Sequence, residues 1–402
     1  MKINRPIKSI FLAVLFLLNF DVLSAQTKVS TLKFSTFNNL VFLKAKLNNS
    51  ANLTFILDTG ASGCVLSEKT SKNLGLKTES GEAVSTGGGD VDAVYVKNAA
   101  IQITPNFTLK KLSLAVIDLS GLEKSTGEKI DGIIGYEAFR QSVIKIDYQN
   151  KLLTFFPNDK FIYRGKGEII PLVIEENLPF IEAKLTSKNG VETQAKLMID
   201  IGGASNIMSL NTEFVNKNKL INANSPTIPL TYGAINVGKS SGEVGRLKEM
   251  QIGKIIHRLP LVNFSQTTQG DETDTSYAGI LNAPFLSKFT CFVDYERKRI
   301  ILEKNINYDS PIEFDMSGIS LIASGDKLNI YTVRQVLNNS PAAKQDIQKG
   351  DIIEKINNKP SSLYRLSEIR KMFSTKSGLV IPLQIRRADK ILVKKISLLR
   401  AI

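Results

Sequence analysis

Phe55-Ile-Leu-Asp58-Thr-Gly-Ala-Ser62 and Leu197-Met-Ile-Asp200-Ile-Gly-Gly-Ala-Ser205 say nearly the same thing: an apolar run, an aspartate, then a turn of small residues. The apolar run predicts a buried strand. An aspartate at the end of such a strand is costly unless its carboxyl is used there. Two such aspartates, one from each of two similar halves, predict a single site with paired carboxylates. Such a pair suits general acid/base activation of a water molecule.

The repeat extends beyond these loops. Ala45-Lys-Leu47 returns as Ala183-Lys-Leu185, and Gly132-Ile-Ile-Gly135 as Gly279-Ile-Leu-Asn282. Ile146-Asp-Tyr-Gln-Asn-Lys-Leu-Leu153 is echoed by Val293-Asp-Tyr-Glu-Arg-Lys-Arg-Ile300. The order is kept while the offset drifts slowly, as loop insertions would cause, so the sequence holds a duplicated domain and not a short-period solenoid. Within each half, short β-branched and aromatic runs at 41–47, 53–57, 91–96, 101–104 and 111–117 predict strands. Helical signals are short, at 67–74, 137–141 and 211–217. Pro157, Gly165, Gly167 and Pro171 predict a joining segment over 155–177. A second linker is expected at 303–314, before a distinct C-terminal region.

Asp58-Thr59-Gly60-Ala61-Ser62 resembles the active-site loop of the aspartic peptidases, and the doubling resembles their two-lobed form. The first half is closer to the small retropepsin-like domains than to large pepsin lobes. Gly132-Ile-Ile-Gly135 is similar to the hydrophobic-hydrophobic-glycine element that crosses behind the loop in this family. Ser85-Thr-Gly87-Gly88-Gly89-Asp90 falls where the family places its substrate flap. The resemblance covers roughly residues 30–303. It implies that Asp58 and Asp200 are catalytic, with Gly202 supporting the second loop, while Gly60 and Ala61 allow a tight turn and let two loops approach across an interface. It further implies that the Thr59 hydroxyl bonds the opposite loop and that Ser62 bonds the outer oxygen of Asp58. The second half departs from the pattern. Ile201 stands where Thr59 stands, Ser205 lies one position late, and Asn282 replaces the glycine of Gly135, where tolerance of left-handed backbone would preserve the turn. The second flap, near Thr231-Tyr-Gly233, is only loosely marked. Two other arrangements fit the same residues: a peptide-binding scaffold with a degenerate second lobe, and a protease in which first lobes of two copies pair and supply Asp58 twice.

Residues 318–402 resemble a PDZ domain of the bacterial protease type. Asn339-Ser-Pro-Ala-Ala343 followed by Lys349-Gly-Asp-Ile-Ile-Glu-Lys-Ile-Asn-Asn358 carries that resemblance. Ser340-Pro341 suits a helix start. In such modules an extended peptide adds a strand beside a carboxylate-binding loop. The candidate loop is Gly318-Ile319-Ser320-Leu321, with a helix over 363–373 as the other wall of the groove.

Composition narrows the rest. The protein has 402 residues, 43% of them apolar, enough for two or three folded domains. Lys2, Arg5 and Lys8 precede an apolar stretch over 10–20 and a small residue, Ala25, before Gln26, which is the pattern of an export signal. No later segment is long and apolar enough to predict a stable membrane span. Two cysteines, Cys64 and Cys291, and one histidine, His257, make a His/Cys zinc site or a Ser-His-Asp triad untenable. The net charge of +14 is scattered, without a basic-aromatic block, so nucleic acid is not an expected partner. The expected architecture is mainly β: a signal at 1–25, two retropepsin-like β-barrel lobes in tandem at 29–156 and 168–303 forming a bilobal aspartic protease, and a small α+β PDZ domain at 315–402. The expected protein is an exported, periplasmic or secreted aspartic endopeptidase acting on peptides or unfolded protein. It needs no metal and no other cofactor, and its PDZ domain takes peptides or the C-termini of proteins.

Overall fold

A computed structural model describes residues 29–86, 89–204, 206–232 and 240–402. The expected signal at 1–25 lies outside the described residues. The protein is mainly β, with barrel-like sheets followed by a PDZ domain.

The first half forms an eight-stranded sheet in the order Ser35–Phe37, Leu40–Leu47, Asn52–Leu57, Gly132–Ile134, Val65–Ser67, Phe107–Ile117, Val94–Thr104 and Glu79–Ser80. Leu40–Leu47 also pairs with Val94–Thr104, which curls the sheet into a barrel. Its burial follows the strand period toward its end: Ala45 and Leu47 are buried while Lys44 and Lys46 face water. The second half repeats the central pairing. Gly279–Asn282 runs parallel to Glu192–Asp200 and antiparallel to Met208–Leu210. Gly132–Ile134 stands in the same relation to Asn52–Leu57 and Val65–Ser67. The repeat read in the sequence is thus a repeat of strand topology.

A third sheet joins the halves. Its order is Ser30–Lys33, Leu152–Pro157, Ser142–Asp147, Phe289–Asp294, Arg299–Lys304 and Glu168–Pro171. Ser142–Asp147 and Phe289–Asp294, each ending in a copy of the Asp-Tyr repeat, pair across the molecule. Within the expected joining segment over 155–177, residues up to 157 and residues 168–171 belong to strands of this sheet. Pro157 ends one strand and Pro171 the other, and neither position lies mid-strand, where a missing donor would break the ladder. One continuous apolar core runs through both halves.

The C-terminal region has its own core. Its sheet runs Ile319–Ser324, Ile330–Val336, Ile352–Ile356, Val380–Arg387 and Lys390–Ser397, so Ile319–Ser324 is an edge strand. Ser340 caps the short helix Pro341–Lys344 by accepting from the Ala343 N–H. The Gly350-Asp351 turn is held by Arg387, whose guanidinium donates to both oxygens of the buried Asp351 at 2.7 and 2.9 Å. The helix Leu366–Phe373 buries Leu366, Ile369 and Phe373 against the sheet.

Candidate active site

Asn52–Leu57 and Glu192–Asp200 deliver Asp58 and Asp200 to one place. The Asp58 N–H donates to the carbonyl of Ile134 on the crossing strand at 3.0 Å, which fixes where the first loop begins. Each carboxylate is then gripped by its own turn: the Gly60 N–H donates to Asp58 Oδ1 and the Gly202 N–H to Asp200 Oδ1, both at 2.7 Å. The two carboxyls also hydrogen-bond each other. The approach demands glycine on both sides. A Cβ at Gly60 would lie 2.9 Å from Asp200 Cγ, and one at Gly202 only 2.2 Å from Asp58 Cγ.

Thr59 crosses to the opposite loop. Its hydroxyl donates to the Ile199 carbonyl at 2.7 Å and accepts from the Ile201 N–H at 3.0 Å. Ile201 has no hydroxyl to return the gesture and is fully buried in the common core. The loop-to-loop bond is one-sided.

Burial dominates the electrostatics. It raises Asp58 above the ordinary carboxylate range, although Asp200 and the amides of Gly60, Gly202 and Ala61 pull it back. Burial raises Asp200 well above that range, and the charge and hydrogen bond of Asp58 push it further. Two carboxyls in contact cannot both ionise easily, so the pair holds a proton and titrates as a unit.

The remaining expected residues divide. Ser62 is exposed and makes no hydrogen bond to Asp58; its backbone carbonyl accepts from Asn177 Nδ2 at 3.2 Å. The expected bond from Ser62 to the outer Asp58 oxygen is thus corrected: the groups that hold Asp58 are the backbone amides of Gly60, Ala61 and Gly202. Ser205, Gly87, Gly88 and Gly233 lie outside the described residues. Gly89 opens the strand Gly89–Val91, paired with Val84–Thr86 as a hairpin. Thr86 Oγ1 donates to the Gly89 carbonyl at 2.7 Å. Ser85 Oγ donates to Asp271 Oδ1 of the second half at 3.1 Å, a contact that nothing in the sequence announced.

Asn282 does not use left-handed backbone as expected. Its φ is −92°, and Gly135 is also extended, at −107°. What Gly135 lacks is room: a Cβ there would lie 2.5 Å from the carbonyl oxygens of Ala61 and Gly63. The second loop is longer by one small residue. Asn282 Nδ2 reaches the Asn206 carbonyl at 3.2 Å, and its Oδ1 lies so near Gly203 that a Cβ there would come within 2.1 Å. The inserted glycine makes the space that the asparagine fills.

Cys64 and Cys291 are both buried and free, so no disulfide joins them. His257, in Ile255–Arg258, packs edge-on against Phe285, and burial lowers it to about 4. Among the described residues no group of His, Cys, Asp and Glu could hold a metal ion. Beneath the dyad, Tyr148 and Tyr295 carry buried hydroxyls without a hydrogen-bond partner, and both feel the charge of Asp200. Their equivalence was visible in the Asp-Tyr repeat, but not their depth.

In the Gly318–Leu321 segment, Gly318 has a φ of +78°, and its N–H and that of Ser317 donate to Asp315 Oδ1 at 2.6 and 2.9 Å. The Ile319 N–H donates to Ser317 Oγ at 3.0 Å.

Residues 43–138 match the aspartyl protease family and residues 332–387 match the PDZ domain family. Among solved structures the protein is similar to the HtrA3 PDZ domain bound to a phage-derived ligand, FGRWV, at 30% identity over 21% of this chain and 84% of that chain, with a TM-score of 0.19. No curated protein matches. The protein has an aspartyl-protease domain and a PDZ domain.

Proposed function

We propose that the protein is an exported aspartic endopeptidase that hydrolyses peptides or unfolded protein between Asp58 and Asp200. The observation that carries this reading is the close approach of two half-buried carboxyls, each held by a glycine amide of its own loop.

A pair that shares one proton offers a base and an acid at once. The ionised carboxylate takes a proton from a water molecule, whose oxygen forms a bond to the scissile carbonyl carbon. The protonated carboxyl gives its proton to the carbonyl oxygen, so a neutral gem-diol forms. Collapse of the gem-diol breaks the C–N bond. The amine leaves with a proton from one carboxyl, and the other recovers a proton from the diol. No covalent intermediate forms. The hairpin Val84–Thr86 with Gly89–Val91, tied to Asp271, is the element that would close over an extended substrate. Because both aspartates belong to the same polypeptide, pairing of first lobes between two copies is unnecessary. The PDZ domain supplies a second place for a peptide or a protein terminus.

The test is cleavage of a reduced, unfolded protein at mildly acidic pH by the purified enzyme. Hydrolysis blocked by a statine-containing peptide, and absent in Asp58→Asn, is the expected result. Inactivity of the parent at every pH between 3 and 7 would leave the scaffold reading in its place. Export is tested separately by N-terminal sequencing of the protein from its host, expected to begin at Gln26.

A further inference from the structure

The groove of the PDZ domain lies between the edge strand Ile319–Ser324 and the helix Leu366–Phe373, and the protein itself covers one end of it. The short helix Ser120–Thr126 of the first half packs against that edge strand. Gly127 ends this helix with a φ of +74° and sits between the two groove walls. A Cβ built there would lie 2.9 Å from Leu366 Cβ and 3.7 Å from Ala323 Cβ. The far end of the groove opens into a cavity of about 790 Å³ lined by Gly318, Ile319, Ser320, Ser367, Arg370 and Lys371. Asp315 takes the N–H groups of Ser317 and Gly318 at the start of the candidate carboxylate loop. Arg370 bridges from the helix to the Leu321 carbonyl at 3.1 Å, a group placed to receive a backbone N–H in strand addition.

Charge holds the docked arrangement from the side. The Arg365 guanidinium lies over the Phe37 ring of the first half, 4.9 Å from its centre. Glu128, next to Gly127, is raised by burial, while the charges of Arg365 and Lys44 lower it. On its other face the same segment reaches toward the dyad. Leu119 and Leu122 share an apolar cluster with Ala61 of the first aspartate loop, Ala204 of the second and Val84 of the hairpin.

We propose that segment 120–128 is the resident occupant of the Ala323–Leu366 end of the PDZ groove, and that a peptide long enough to pair along the whole edge strand binds only by displacing it. Peptide binding and docking of the PDZ domain on the first lobe then exclude each other. Displacement pulls on Leu119 and Leu122, so the ligand is felt in the wall of the catalytic cleft. The idea rests on the PDZ reading and not on hydrolysis, so the test is made in a full-length protein that carries Asp58→Asn throughout.

The probe is a set of fluorescein-labelled hexapeptides with free C-termini, one for each terminal residue, titrated by anisotropy. If the groove is occupied most of the time, removing the occupant tightens apparent binding by the inverse of the vacant fraction. Gly127→Trp in that background should bind the best hexapeptide at least about tenfold more tightly than the parent. Arg365→Ala, which keeps the backbone cap of its helix, should bind about threefold more tightly. Adding that hexapeptide to the parent should speed hydrogen exchange of backbone amides in 119–128. Equal affinity in the parent and in Arg365→Ala would overturn the proposal even if Gly127→Trp failed to fold. So would hexapeptide binding with unchanged exchange in 119–128, or no binding to any form.

Discussion

The two aspartate loops reach the same chemical end by different packing. In the first, Thr59 spends its only hydroxyl across the interface, bonding both the carbonyl of Ile199 and the amide of Ile201. In the second, Ile201 occupies the equivalent place and is buried among apolar neighbours. Among the described residues one hydroxyl therefore joins the loops, and close packing supplies the rest. The second loop also gains a glycine, Gly203, and so tolerates Asn282 where the first tolerates only Gly135. What the halves keep in common is narrower than a motif: an aspartate at a strand end and a glycine two residues on, whose amide holds it.

That difference makes the deepest test a comparison of the two carboxyls. Asp58→Asn and Asp200→Asn should each lower kcat/KM on unfolded protein by about 10³-fold or more, since acid and base roles are both lost. A second lobe that only packs would leave Asp200→Asn nearly as active as the parent, and the equivalence would fail.

The glycines should rank the loops next. A Cβ at residue 202 would meet Asp58 Cγ at 2.2 Å, against 2.9 Å from a Cβ at residue 60 to Asp200 Cγ. Displacing a reacting group by an ångström costs on the order of 10²-fold. Gly202→Ala should therefore lose about 10²-fold in kcat/KM and Gly60→Ala clearly less. The reverse order, measured with the same substrate, would contradict the geometry.

Thr59→Val keeps shape and removes the hydroxyl that bridges the loops. It leaves a carbonyl and an amide unpaired at a buried interface, at about 1–3 kcal/mol for each. Urea denaturation should show a loss of roughly 2–4 kcal/mol. The mirror change, Ile201→Thr, should not recover that loss in the Thr59→Val background, because the Ile199 and Ile201 backbone groups would still lack their partner. A full recovery would mean that either loop can supply the bridge.

The pair also predicts how stability follows pH. Burial raises both carboxyls in the folded state, Asp200 most. A raised folded pKa stabilises below the unfolded value, and the contribution is lost as pH rises through the folded value. Asp200→Asn removes this loss. It should raise the thermal midpoint relative to the parent at pH 7 and change it little at pH 4, while Asp58→Asn should show a smaller gain at pH 7. A larger gain at pH 4 than at pH 7 would reverse the sign and refute burial as the cause.

The sequence carried the dyad plainly because a repeated apolar run ending in aspartate has few other physical uses. It carried the helices Glu68–Asn73, Tyr136–Gln141 and Thr212–Lys217 nearly to the residue. It did not carry the sheet that joins the halves. The prolines and glycines of 155–177 are turn signals, and only pairing with Arg299–Lys304 shows that they flank strands. The docking of Ser120–Thr126 was equally silent, since seven residues give no helical period and the partner surface lies about 200 residues away. The one-residue insertion at Gly203 was visible, but its purpose was not, because the space it opens is measured against Asn282.

The smallest expected effect belongs to the residue on which family resemblance and geometry disagree most. Resemblance assigns Ser62 a bond to the outer oxygen of Asp58. In the structure its side chain faces solvent, and its only link across the molecule is through the backbone carbonyl, which accepts from Asn177. Ser62→Ala leaves that carbonyl in place, so Asn177 keeps its partner. The amides that hold Asp58 belong to Gly60, Ala61 and Gly202, and the change touches none of them. Exposed substitutions of this kind stay within about 0.5 kcal/mol. Ser62→Ala should therefore match the parent in stability and stay within about twofold in kcat/KM at every pH tested. A tenfold loss confined to the acidic side of the profile would show the hydroxyl turning inward onto Asp58 when substrate binds. The two loops would then differ by a side-chain contact as well as by the one-sided bridge.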